Sequence, residues 1–88
     1  MNAEDLQQLR VEMDQINEDL KKLLIKRLKV SKNISEIKKK SQIPLLNEAR
    51  EKEILCNIVK EIEPELAPYI EKIFREILKQ SLQCMKSN

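Results

Sequence analysis

Positions 6, 9, 13, 16, 20, 23, 27, 30, 34 and 37 of this chain read Leu, Leu, Met, Ile, Leu, Leu, Arg, Val, Ile and Ile, with spacings that alternate between three and four. Nine of the ten are apolar, and that period places them along one side of an α-helix. No proline or glycine stands between Asn2 and Ile43 to interrupt it. The expected helix, about 36 residues within about 4–41, is roughly 54 Å long at 1.5 Å per residue. A compact chain of 88 residues has a radius of gyration of only about 12 Å. Two shorter helices cannot cover the whole stripe, so a second chain should, most simply as a two-fold homodimer with paired long helices.

Local signals divide the rest of the chain. Asn2 or Asp5 can cap the first helix, and Asp5-Leu6-Gln7-Gln8 has the spacing of a capping box. Glu18-Lys22 and Glu36-Lys40 are i,i+4 pairs on its polar surface. The helix should end near Ser41-Gln42, because Pro44 pushes Ile43 out of the helical region. Asn47 is the expected cap of a second helix over about 47–62, with Ile54, Leu55, Ile58, Val59 and Ile62 on its apolar face. Pro64 and Pro68 punctuate the next connection, and either suits a first helical turn. The third helix, over about 66–86, should bury Leu66, Ile70, Ile73, Phe74, Ile77, Leu78, Leu82 and Met85. The expected fold class is all-α, three helices per chain, with residues 1–88 forming a single domain.

Composition removes several chemistries. The chain has no glycine, histidine or tryptophan. A phosphate-cradling loop needs glycine for close backbone approach, and a histidine-ligated metal site or Ser-His-Asp triad needs histidine. One Tyr and one Phe do not make a stacking platform for single-stranded nucleic acid. Seventeen basic against fifteen acidic residues gives +2, without the basic excess of a nucleic-acid binder. No apolar run approaches the ~18 residues that span a bilayer, and Met1-Asn2-Ala3-Glu4-Asp5 has no signal-peptide pattern. Cys56 and Cys84 lack metal-ligand spacing and read as small core residues in a reducing compartment. A cytoplasmic protein without metal, cofactor, nucleic-acid or membrane partner is the expectation. The run Lys38-Lys39-Lys40 reads first as a solvated helix end.

Some residues break the apolar pattern. Arg27 is the one polar residue of the seam, and a guanidinium there needs an anion or a route to water. Lys38 lies eleven residues on, three turns plus about 20°, so it projects from nearly the same face roughly 16 Å up the axis. The two could enclose a small anion, with Ser31 and Ser35 on the face between them and Ile34 as an apolar floor. Arg50 precedes Ile54 and Ile58 by four and eight residues and so should point to the core side, beside Glu51, with which a first-turn ion pair is the plainer expectation. Ser81 is a hydroxyl on the line of Phe74, Ile77 and Met85. Arg10 lies about 25 Å and 100° from Arg27 on a straight helix, and could share a pocket with it across an antiparallel dimer.

Together, Leu9-Arg10, Met13-Asp14-Gln15-Ile16-Asn17, Leu23-Leu24, Arg27, Ile34, Lys38, Ile43-Pro44 and Ala49-Arg50-Glu51, then Ile73-Phe74, Ile77-Leu78 and Ser81, resemble the all-helical chorismate mutase family from about Leu6 to Met85. The resemblance implies an intertwined dimer of three-helix chains that rearranges chorismate to prephenate with no cofactor. It implies that Arg10, supplied by the partner chain, and Arg27 grip the two carboxylates of the substrate, and that Lys38 donates to the ether oxygen of the breaking bond. Glu51 and the backbone near Asn47 would hold the ring hydroxyl, while Arg50 and Ser81 line the site, Ser81 near a carboxylate. Two positions depart from the pattern. Asn47 stands where aspartate is common. Met85 stands where the family places a glutamine or glutamate that donates to the ether oxygen, which implies a slower mutase. The alternatives are a lyase that removes pyruvate from isochorismate, and a catalytically weak regulatory or dimerisation domain of a shikimate-pathway enzyme.

Overall fold

The computed structural model describes residues 2–87, which form three α-helices and, among those residues, no strand: α1, Ala3–Lys40; α2, Glu48–Ile58; and α3, Ala67–Lys86. The chain divides into two units, one running to Val30 and the other beginning at Ser31. The first unit is thus the greater part of α1; the second holds its end together with α2 and α3.

Of the two candidate caps for α1, Asn2 takes the role. Its Oδ1 accepts from the Asp5 backbone N–H at 3.0 Å, and the Asp5 carboxylate accepts from the Asn2 N–H at 3.1 Å. This reciprocal pair is a capping box, set one turn earlier than the expected Asp5-to-Gln8 spacing. On the polar surface Glu18 pairs with Lys21 at 3.0 Å, one residue before the expected partner. Along the first unit the apolar stripe lies open: Leu9 is 47% exposed, Leu20 49% and Leu23 64%. Leu6, Met13, Ile16 and Val30 are exposed as well. Arg27, with Leu24 and Leu28, is half-buried.

The buried residues of the second unit are Ser31 and Ser35 on α1 and Leu78, Ser81 and Met85 on α3. Ser31 and Ser35 are one turn apart, and side chains this small let another backbone approach closely. Ser35 is wholly buried, and its hydroxyl stays satisfied by donating to the Lys32 carbonyl at 2.7 Å. On α3, Leu78, Ser81 and Met85 follow a spacing of three and four, flanked by half-buried Ile70, Phe74, Ile77 and Leu82. Leu66 and Ile73, expected on this side, are exposed. Both lie toward one edge of the apolar arc centred on Ser81, Leu66 just before the helix begins.

α2 ends at Ile58, four residues short of the expected boundary. The Lys60 N–H turns back to the Asn57 carbonyl and Glu61 takes a left-handed backbone with φ 60°, so the chain reverses before Pro64 rather than at it. Ile62 is therefore outside the helix. Of the two prolines, Pro68 occupies the first turn of α3, where its missing N–H has no helical partner to lose.

The end of α1 is a Schellman motif. The Ile43 N–H reaches the Lys38 carbonyl at 2.7 Å, the Gln42 N–H reaches that of Lys39 at 3.3 Å, and Gln42 has φ 56°. Glycine usually fills this position, but the chain contains none. A left-handed backbone costs a residue with a Cβ about 1–2 kcal/mol, while glycine's freedom in the unfolded chain returns about 0.5–1 of that. Gln42→Gly should therefore raise stability by up to about 1 kcal/mol in urea unfolding; a loss of stability would contradict the capping geometry.

Candidate functional site

The first unit carries two of the cations singled out in the sequence, Arg10 and Arg27. Arg10 is exposed and Arg27 half-buried. The second unit carries Lys38, Asn47, Arg50, Glu51, Ser81 and Met85.

Lys38 sits in the last turn of α1, half-buried, with its Nζ donating to the Leu45 carbonyl at 3.1 Å. Its own carbonyl accepts from Ile43. The segment after the helix thus grips this lysine by backbone and by side chain. An ammonium has three donors, so the bond to Leu45 fixes its position and leaves two to point elsewhere. The lysine run is only partly the solvated end expected of it. Lys39 donates to the Met85 carbonyl at 3.4 Å, so two of its three ammonium groups reach backbone oxygens.

Asn47 opens α2 from an extended backbone, φ −129° and ψ 93°, and its Oδ1 accepts from the Arg50 N–H at 3.0 Å. The backbone carbonyl of Asn47 receives the Glu51 N–H at 3.0 Å. Asparagine therefore performs the capping task that aspartate would, and the departure at this position leaves the start of the helix intact. Glu51 is half-buried in the first turn.

Arg50 differs from the expectation. Its side chain is 58% exposed and is paired with Glu53, not with Glu51. The half-buried residues of α2 are Glu51, Ile54, Leu55 and Ile58, a spacing of three, one and three. That face turns Glu51 inward and leaves its neighbour, about 100° round the helix, in solvent.

Ser81 and Met85 lie one turn apart on α3, 6% and 8% exposed. Ser81 brings a hydroxyl; Met85 brings a thioether, a weak acceptor with no proton to donate. Sequence reasoning missed the Leu45 carbonyl. A backbone acceptor has no side-chain signature, and its one trace is Ile43-Pro44, which forces the chain out of the helix beside Lys38.

Fixed cations, a carboxylate and a hydroxyl carried on helices suit the binding and restraint of a small anion better than group transfer through a histidine-activated nucleophile. The comparison with known families gives that class its identity: residues 9–86 match the chorismate mutase type II family model, and the chain belongs to that family. It is also similar to the bifunctional chorismate mutase/prephenate dehydratase of Aquifex aeolicus (strain VF5), with 38% identity over 94% of this chain. The chain spans about a quarter of that protein's length, 24%.

Proposed function

We propose that this chain is a chorismate mutase that works as a two-fold homodimer in the cytoplasm, on a small dicarboxylate and with no cofactor. The observation that carries the reading is the family match over residues 9–86, which takes in Arg10, Arg27, Lys38, Asn47, Arg50, Glu51, Ser81 and Met85. The reaction is an isomerisation. The ether C–O bond of chorismate breaks as a new C–C bond forms, and no atom enters or leaves. Neither a nucleophile nor a metal has a step to perform, so a chain without histidine is at no disadvantage.

The protein's task is to hold a flexible dianion in the reactive conformer and to set positive charge where the ether oxygen becomes more negative. Arg10 of the partner chain and Arg27 take the carboxylates, since planar guanidinium forks bind them in a bidentate manner. Lys38 donates to the ether oxygen with the protons that Leu45 leaves unused. Glu51 and the backbone at Asn47 hold the ring hydroxyl, and Ser81 lies near a carboxylate beside Met85. Arg50 joins by leaving Glu53, an exposed pair of a kind worth about 0–1 kcal/mol.

The exposed stripe of α1 supports the dimer. Most of an amphipathic helix's stability comes from packing its apolar face, and a run of exposed Leu, Ile and Met of this length asks for an occupant. A second copy of the same helix offers a matching surface.

Two substitutions test the assignment in a chorismate assay. Lys38→Ala should lower kcat about 10²–10³-fold, the usual cost of one preorganised donor, with the fold intact by circular dichroism. Activity near that of the parent would remove Lys38 from the chemistry. Met85→Gln restores a donor and should raise kcat; an unchanged or lower kcat in a folded variant would show that Met85 does not limit the rate.

A further inference from the structure

The last turns of α1 and α3 share a connection that the roles above do not use. A helix leaves its last four carbonyls without partners inside the helix. At the end of α3, Ser87 serves two of them: its N–H reaches the Gln83 carbonyl at 3.2 Å and its Oγ that of Cys84 at 2.8 Å. The next carbonyl, that of Met85, accepts from Lys39 Nζ at 3.4 Å, across 46 residues of sequence. At the end of α1 the carbonyls of Ile37, Lys38 and Lys39 are taken by the N–H groups of Ser41, Ile43 and Gln42. Successive residues diverge by about 100° on a helix. Lys38 accordingly reaches Leu45 while Lys39 reaches α3, and one turn of α1 holds both neighbours.

We infer that Lys39 is a positioning residue: its charge-assisted bond to the Met85 carbonyl fixes the last turn of α3 against the end of α1, and with it the placement of Ser81 and Met85. This rests on the mutase reading, in which both of those side chains face substrate. Ser81 and Met85 are buried, yet they stand within the final two turns of their helix, where fraying would displace them. Lys39 itself touches no reacting atom.

The test is a set of variants read in two ways. Lys39→Met keeps the aliphatic stem and removes the donor. Amide hydrogen exchange over residues 83–87 should accelerate relative to residues 70–78. In the chorismate assay KM should rise about three- to ten-fold, the net worth of one hydrogen bond, with kcat within two-fold, because Ser81 binds substrate and transition state alike. Lys39→Arg should restore KM, and Lys40→Met, a charge lost from the same turn, should leave it unchanged. In a Ser81→Ala background Lys39→Met should change KM less than two-fold, since the group being positioned is gone. Unchanged exchange overturns the inference, as does an unchanged KM. An equal rise in KM with and without Ser81 also overturns it, showing that Lys39 acts through its charge on substrate approach. If the parent protein converts no chorismate, the mutase reading fails and the positioning role falls with it, while the exchange result still reports whether the clamp exists.

Discussion

The apolar stripe of α1 is the constraint on which the remaining structure depends. A helix of 38 residues with leucine, isoleucine or methionine at nearly every seam position is stable in water when that seam is covered. Its last ten residues belong to the unit that holds α2 and α3; there the seam continues as exposed Ile34 and Ile37, while Ser31 and Ser35, on an adjoining face, are buried. Toward the N-terminus the seam is open as well. The end of the helix therefore presents two faces, a small-residue one that is buried and a large-residue one suited to another long helix. Arg27 sits just before the buried serines, and Lys38 lies beyond them in the closing turn.

The absence of glycine shapes how the helices end. Both reversals of the backbone, at Gln42 and Glu61, are made by residues with a Cβ in the left-handed region. At the end of α3 the capping comes from Ser87 and Lys39. Lys38 and Lys39 donate to carbonyls outside their own helix, at a terminus where the helix dipole favours positive charge. The same lysine run thus closes α1, holds the following segment and reaches α3. A site that must present fixed positive charge to a dianion gains from cations that are already anchored, because little ordering remains to be done on binding.

Much of this was legible in the sequence. The alternation of three and four over residues 6–37 identified α1, Pro44 its end, Asn47 the start of α2, and Ser81 as a hydroxyl within an apolar line. What was not legible depended on backbone geometry or on packing. Nothing in the residues around Glu61 announces a left-handed turn, so the sequence predicts an α2 that runs to Ile62. Arg50 is four residues from Ile54, which suggests a shared face, yet the inward arc is centred on Glu51, Ile54, Leu55 and Ile58 and leaves Arg50 outside. By sequence Lys39 is one charge in a solvated run, because its acceptor, the Met85 carbonyl, is a main-chain atom far away in sequence. The roles proposed for Arg10 and Lys38 rest on the family resemblance, because charge and spacing alone do not distinguish them from surface cations.

The proposed conversion of chorismate to prephenate by these helices can be measured directly. The direct measurement takes protein that sediments at twice the chain mass, follows the loss of chorismate absorbance in the ultraviolet and identifies the product by chromatography. Prephenate is expected as the sole product, with no metal or cofactor added. A folded dimer that leaves chorismate untouched, or that instead releases pyruvate from isochorismate, would contradict it.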